Sequence, residues 1–149
     1  MKTRTYFYFG VAVLFFVLDQ ATKYFITNNL SLHQIIKVIP SFNIVYYRNI
    51  GSAFGMFKSL GNPFFIFVSA AAIVAVCVMI VKDEDNRIGL SLILGGAAGN
   101  LADRIIHSYV IDFLEVYVAD FYWPAFNVAD SALTIGILLL MIKTVWPRA

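Results

Sequence analysis

Four stretches of the chain are apolar for long enough to form membrane-spanning helices, since about 20 residues cross the hydrocarbon core. They are residues 6–26, 63–81, 88–106 and 126–145. The second stretch has no charged residue, whereas the other three carry carboxylates toward one end. The pattern therefore predicts a single integral membrane domain over residues 1–149, with four transmembrane helices.

Two outer segments, residues 27–62 and 107–125, connect these helices on one side of the membrane. The first contains alternating and β-branched residues with turn signals at Pro40 and Gly51, which favour short strands. The second is also apolar, and its Pro124 is a start signal for the fourth helix. We therefore predict an all-α membrane protein with a small, β-rich periplasmic extension that lies on the membrane surface.

The composition supports a membrane protein. Of the 149 residues, 60% are hydrophobic and only 13% are charged, whereas soluble domains are about 45–50% apolar and about 25% charged. The net charge of +2 is too small to indicate a nucleic-acid partner. Cys77 is the only cysteine, which excludes an intrachain disulfide.

The distribution of Lys and Arg near the helix ends predicts the orientation. The N-terminal apolar run lacks a clear cleavage site, so we interpret it as an uncleaved first helix. One side of the membrane holds Lys2, Arg4, Lys82, Arg87, Lys143 and Arg148, and the other holds Lys23, Lys37, Arg48, Lys58 and Arg104. The first group lies in short tails and a tight loop, which places both termini in the cytoplasm.

Polar residues gather near the outer membrane face. They are Asp19, Arg48, Asn49, Asn100, Asp103, Arg104, Asp112, Asn127 and Asp130. Ionisable groups within a membrane are functional candidates by default. Their convergence at one depth indicates a site there.

Structural roles compete with function for several of these residues. Asp19 and Lys23 are four apart, so a helix places them on one face as an ion pair. Asp130 lies in the first turn of the fourth helix, where a carboxylate complements the helix dipole. Asn127 can cap the same helix, and the adjacent Asp103 and Arg104 can be anchors at the membrane interface.

Asp112 is harder to explain structurally, because its neighbours in "YVIDFLEVYV" are mostly apolar. An isolated carboxylate there must be paired, protonated or functional. Two neighbouring carboxyls share a proton, so that one acts as base and the other as acid. Asp112 and Asp130 flank one 17-residue connection and are the best candidates for this pair. His33 and His107 lack metal-ligand spacing, so we expect no metal and no cofactor.

Five motifs then indicate a family. They are "DQATK" with Asp19 and Lys23, "NIGSAF" with Asn49, Gly51 and Phe54, "GNLADR" with Asn100, Asp103 and Arg104, "VIDF" with Asp112, and "FNVAD" with Asn127 and Asp130. Together they resemble lipoprotein signal peptidase, or signal peptidase II, over nearly the whole chain. One departure is Ser52, where the family more often has Ala.

The resemblance implies an aspartic endopeptidase of the bacterial inner membrane. It also implies that this enzyme is the target of the antibiotic globomycin. It implies cleavage of prolipoproteins just before the cysteine that carries diacylglycerol, with Asp112 and Asp130 as the catalytic dyad. The other motif residues would support the dyad or hold the substrate. The expected partners are diacylglyceryl prolipoproteins and membrane lipid, and the enzyme is expected to work as a monomer.

Other interpretations remain open from the sequence alone. A small proton-coupled transporter or channel would use the same carboxylates as a relay. A non-catalytic scaffold would use Gly95 and Gly99 as a helix-dimerisation face. Within the peptidase reading, the assignment of base and acid stays open, because a coupled pair titrates as a unit. The apolar outer segment "IIKVIPSFNIVYY", residues 35–47, is a hypothetical clamp on the substrate, and deletion or stiffening of residues 55–58 would test it.

Overall fold

The computed structural model describes residues 2–51, 60–82 and 86–145. A helix occupies each of the four predicted segments: α1 is Lys2–Asn29, α2 is Gly61–Lys82, α3 is Arg87–His107 and α4 is Val128–Val145. Helix α4 begins two residues later than predicted, because Phe126 pairs with Leu114 as an isolated β-bridge. Phe54 and residues 55–58, the positions chosen to test the clamp hypothesis, lie outside the described residues.

Three helices in the described part of the chain are long and apolar enough to cross a membrane. They are Thr5–Asn29, Gly61–Lys82 and Val128–Val145. Helix α3 has a similar length of 21 residues but is not among these three. It packs against the other three helices, and its large exposed hydrophobic residues, Ile88, Ile105 and Ile106, lie only near its ends. Helix α3 is therefore the central helix of the bundle.

Small residues allow the other helices to approach α3 closely. A Cβ atom at position 95 would lie 2.6 Å from the backbone oxygen of Ala12 on α1. On the opposite side, a Cβ at position 136 of α4 would lie 2.6 Å from the backbone oxygen of Gly89. These distances are too short for a real Cβ, so glycine is required at both positions for this packing.

The apolar core of the bundle lies on the side away from the strands. It consists of Ala12, Val76, Ile80, Leu90 and Leu94, contributed by three different helices. All five are apolar and buried, so this part of the bundle is held by packing.

The segment between α1 and α2 and the segment between α3 and α4 together form a four-stranded antiparallel sheet. Its strands are β1 (Ile35–Ile39), β2 (Phe42–Asn49), β3 (Val110–Val118) and β4 (Phe121–Tyr122), in the order β1-β2-β3-β4. The predicted combination of apolar helices with a small β-rich part is confirmed, but the segment 107–125, predicted as an apolar connection, supplies half of the strands. The β-rich character predicted for 27–62 is found in β1 and β2.

The sheet is fixed to the helices on one face. Ile111 and Phe113 of β3 pack with Tyr46 of β2 and with Ile26, near the end of α1. Helix α3 ends with Ser108 in the left-handed conformation, at φ 64°, and its N–H bonds to the carbonyl of Arg104. Only two residues separate α3 from β3, so the chain passes directly from the central helix into the sheet.

Candidate active site

A cavity of about 820 Å³ lies between the sheet and the helices. Its polar wall includes Asn49, Asn100, Arg104, Asp112 and Asp130. Its apolar wall comes from the helices and from the segment before α4, and includes Val68, Ala72, Trp123, Leu133 and Ile135. The cavity therefore brings residues that are far apart in sequence to one polar end of a largely apolar space.

Asp112 lies on β3 and is almost completely buried. Strand β2 places Tyr47 opposite Asp112 and Asn49 opposite Val110, so Asn49 is a diagonal neighbour of the carboxylate. The Asn49 Nδ2 donates to Asp112 Oδ2 over 3.0 Å, and the Asn127 Nδ2 donates to Asp112 Oδ1 over 2.8 Å. Each carboxylate oxygen thus accepts one amide hydrogen bond.

Asp130 lies in the first turn of α4. The Asn127 Oδ1 accepts from the backbone N–H of Asp130 over 2.8 Å, and Asp130 Oδ2 accepts in return from the backbone N–H of Asn127 over 3.2 Å. This reciprocal pair is a capping box with Asp in place of the usual Glu. The remaining oxygen, Asp130 Oδ1, accepts from Asn100 Nδ2 over 2.8 Å.

The orientation of two amides follows from their other partners. The Asn127 Oδ1 faces a backbone donor, so its Nδ2 must face Asp112. The Asn49 Oδ1 accepts from the backbone N–H of Gly51 over 3.0 Å, which likewise turns its Nδ2 toward Asp112. Both amides therefore present donors to the carboxylate, and the two candidate aspartates are linked through the single side chain of Asn127.

Burial is the main influence on the acidity of Asp112. The pKa of this carboxyl is raised from 3.8 to about 7, first by burial and second by the nearby charge of Asp130. The hydrogen bonds from Asn49 and Asn127 and the charge of Lys23 oppose this shift. Because a carboxyl with a pKa near neutrality can hold or release a proton at physiological pH, Asp112 is suited to acid–base chemistry.

Arg104 borders the same cavity from α3. Its guanidinium donates to the backbone oxygens of Gly51 and Asn100, each over 3.3 Å, and lies 5.2 Å from the centre of the Phe65 ring. Asn62 in turn donates to the backbone oxygen of Arg104 over 2.9 Å. Arg104 therefore connects α3 with α2 and with the end of β2, and places a positive charge beside the carboxylates.

Three further predicted residues, Asp19, Lys23 and Asp103, are buried behind the cavity and do not line it. The predicted ion pair between Asp19 and Lys23 is present at 2.8 Å, and Lys23 also contacts Asp103 at 2.9 Å. Asp103 is 1% exposed, so it is not an anchor at the membrane interface.

Gln20 is a residue that the candidate set lacked. Its Nε2 lies 3.1 Å from both Asp19 Oδ2 and Asp103 Oδ1. Its position within "DQATK" was the available signal.

In the ranges that the structure describes, no group of three or more His, Cys, Asp or Glu side chains is arranged to hold a metal ion.

A family model described as signal peptidase (SPase) II matches residues 11–146. The chain belongs to the signal peptidase II family. The match includes every residue of the cavity's polar wall, so the site lies within the part of the chain that defines this peptidase family.

Relatives and solved structures agree with this membership of the signal peptidase II family. The chain is 47% identical to the lipoprotein signal peptidase of Thermodesulfovibrio yellowstonii over 130 residues, which cover 87% of this chain and 88% of the relative. It is 44% identical to the lipoprotein signal peptidase of Geobacter sulfurreducens, with 95% and 93% covered. A solved bacterial membrane enzyme, 33% identical, superposes with a TM-score of 0.84 over 91% of this chain and 85% of that one.

Proposed function

We propose that this chain is an aspartic endopeptidase that removes the signal peptide from diacylglyceryl-modified prolipoproteins. Cleavage takes place just before the lipidated cysteine. Family membership and the names of the relatives support the substrate class. The observation that carries the chemistry is that Asp112 and Asp130 border one cavity and are bridged by Asn127.

The proposed mechanism uses one proton shared by the aspartate pair. The ionised aspartate takes a proton from water while the water oxygen attacks the scissile carbonyl carbon. The protonated aspartate donates to the carbonyl oxygen as the tetrahedral intermediate forms. When the C–N bond breaks, the aspartate that took the proton from water gives it to the leaving amine. The other aspartate takes back a proton from a hydroxyl of the intermediate, and the new carboxyl group retains the oxygen from water. No metal and no covalent intermediate take part.

The surrounding groups have separate roles in this proposal. Asn49 and Asn127 orient the carboxyl of Asp112, and Asn100 orients that of Asp130. Arg104 supplies positive charge where negative charge develops on the carbonyl oxygen. Gly51 supports this arrangement by holding Asn49 and Arg104 through its backbone, and Phe54 belongs to the same proposed supporting set.

The membrane arrangement in this proposal takes its orientation from the distribution of Lys and Arg near the helix ends, and the shape of the cavity is consistent with it. Helix α3 is the fourth transmembrane helix, both termini are cytoplasmic, and the sheet rests on the outer membrane surface. The apolar wall formed by Val68, Leu133 and Ile135 extends from the aspartates along α2 and α4. A substrate whose lipid and signal helix stay in the bilayer can then present its scissile bond to the polar end of the cavity. In this proposal the enzyme works as a monomer.

A pair of matched peptides tests the proposed function. Both carry the same signal segment and the same cysteine, but only one carries the diacylglyceryl group. The purified chain is expected to release the signal segment from the lipidated peptide, with the new N-terminus at the modified cysteine. Equal cleavage of both peptides contradicts the proposed substrate class, and cleavage of neither contradicts the proposed activity.

A further inference from the structure

Lys23 is a buried cation that the proposed chemistry leaves without a role. Only 2% of the residue is exposed. Its ammonium lies 2.8 Å from Asp19 Oδ2 and 2.9 Å from Asp103 Oδ2. Three charged groups removed from water are costly to bury unless their geometry is good and their remaining hydrogen-bonding capacity is satisfied. The other contacts of the two carboxylates therefore matter.

Each carboxylate binds one backbone amide outside its own helix. Asp103 Oδ2 accepts from the N–H of Ile111 over 2.9 Å, and Asp19 Oδ1 accepts from the N–H of Ala129 over 2.9 Å. Ile111 immediately precedes Asp112 in the chain, and Ala129 immediately precedes Asp130. The two carboxylates thus hold the backbone one residue before each candidate catalytic aspartate.

Lys23 also helps to fix the orientation of the Asn100 amide. The Lys23 ammonium donates to Asn100 Oδ1 over 3.0 Å. Because an ammonium group has no acceptor, the amide oxygen must face it, and Asn100 Nδ2 is left to donate to Asp130 Oδ1 over 2.8 Å. The Asn127 Nδ2 also donates to Asn100 Oδ1, over 3.2 Å, so Lys23 and Asn127 hold this orientation together.

We propose that Lys23 is a positioning residue: it holds Asp19 and Asp103 together, so that their two backbone contacts fix the separation and orientation of Asp112 and Asp130. This inference rests on the proposed function for its consequences in catalysis. The α1 helix thereby contributes to the site without reaching the cavity. A misplacement of about 1 Å at such a site costs about 100-fold in rate.

A role in general stability alone makes a different prediction, and Arg87 provides the matched control. Arg87 is also a buried cation in the bundle, and it donates to the backbone oxygens of Ile80 and Val81 at the end of α2. It is 13 residues before Asn100 on α3, or about 20 Å along the helix. Loss of this cation weakens the bundle without changing the backbone beside the two aspartates.

The experiment compares Lys23→Met with Arg87→Met in the full-length protein. The kcat and KM values are measured with the diacylglyceryl-modified peptide, and hydrogen exchange is followed in fragments that contain Ile111 and Ala129. For K23M we expect kcat to fall by about 100-fold, KM to stay within about threefold of the parent value, and both fragments to exchange faster. For R87M we expect a lower unfolding temperature but near-normal kcat and exchange in these fragments.

Several outcomes overturn the proposal. They are near-normal kcat in folded K23M, an increase in KM with kcat unchanged, the same kcat loss in R87M, or unchanged exchange in the two fragments. If K23M does not fold, K23M/D103N replaces it, because it removes opposite charges together and keeps an amide oxygen for Ile111. The same fall in kcat is expected for this double variant, and normal kcat contradicts the proposal.

The exchange measurement separates this inference from the proposed function. If the parent protein cleaves neither peptide while K23M still loosens both fragments, the activity is wrong and the positioning role stands. If the parent cleaves the lipidated peptide and K23M behaves as the parent, the positioning role is wrong and the activity stands.

Discussion

The side chain of Asn127 donates from Nδ2 to Asp112 Oδ1 over 2.8 Å. Its Oδ1 at the same time caps α4 by accepting from the backbone N–H of Asp130. A helix cap and a contact to the candidate dyad are therefore made by opposite ends of one buried amide. The start of α4 and the middle of β3 cannot shift independently without breaking one of these bonds.

The two roles of Asn127 can be separated by substitution with Ser. Serine caps helices well, so Asn127→Ser keeps an oxygen for the N–H of Asp130 but loses the donor to Asp112. We expect kcat to fall by about 100-fold or more, as for the loss of one preorganised donor. Asn127→Leu removes both functions and is expected to lower the unfolding temperature further. Near-normal kcat in N127S would show that Asp112 does not need this donor.

The pH dependence of cleavage follows from the acidity of Asp112. Burial and the charge of Asp130 raise its pKa to about 7, so its proton is present below this pH and is lost above it. Because the proposed mechanism needs one proton on the aspartate pair, kcat/KM is expected to fall as pH rises through about 7. A pH–rate profile measures this limb, and activity that still increases at high pH contradicts the prediction.

Asn49 provides a control for that assignment. Its hydrogen bond lowers the pKa of Asp112 by stabilising the ionised form. Asn49→Leu is therefore expected to move the alkaline limb to higher pH, in addition to any loss of rate. If the alkaline limb of the pH–rate profile stays at the same pH in this variant, it reports the titration of a group other than Asp112.

Arg104 and Arg48 are a matched pair for testing the role of the Arg104 guanidinium at the cavity. Arg104 borders the cavity and donates to Gly51 and Asn100, whereas Arg48 is exposed and lies over the Tyr109 ring. Lysine keeps the charge but loses the planar fork of donors. We expect R104K to lower kcat/KM by about tenfold or more and R48K to leave it within about twofold. Equal effects would show that Arg104 has no special role.

The close packing around α3 predicts opposite effects for two Gly→Ala substitutions. A Cβ at Gly95 would lie 2.6 Å from a backbone oxygen of α1, while a Cβ at Gly10 would have no atom within 4 Å. We expect G95A to destabilise the fold by about 1–3 kcal/mol because the helices must separate. G10A is expected to be neutral or to stabilise by up to about 1 kcal/mol. Thermal unfolding in one detergent measures both, and equal unfolding temperatures would contradict the packing argument.

The helices could be predicted from the sequence because long apolar runs have few other solutions in a membrane. The sheet was only half predictable. In β3, Ile111, Asp112 and Phe113 are all buried, so this strand lacks the alternation of apolar and polar positions that identifies a half-exposed strand. The pairing of Asn49 with Asp112 depends on the register between β2 and β3, which one sequence does not reveal.

The candidate site shows the same division between local and distant contacts. The ion pair between Asp19 and Lys23 followed from helical spacing. The contact from Lys23 to Asp103, and those from the two carboxylates to the backbone beside Asp112 and Asp130, depend on how α1, α3 and α4 pack. Asn100, Asp103 and Arg104 belong to one motif, but the structure turns Asp103 toward Lys23 and leaves the other two at the cavity.

The most direct test of the dyad is cleavage of the diacylglyceryl-modified peptide by Asp112→Asn and Asp130→Asn. Each substitution keeps the size of the side chain but removes its capacity to exchange a proton. We predict that both variants remain folded in detergent, which is checked by comparing their unfolding temperatures with that of the parent. We also predict that neither variant releases the signal segment above background. Substantial turnover by either folded variant would contradict the proposal that Asp112 and Asp130 act together as the catalytic pair.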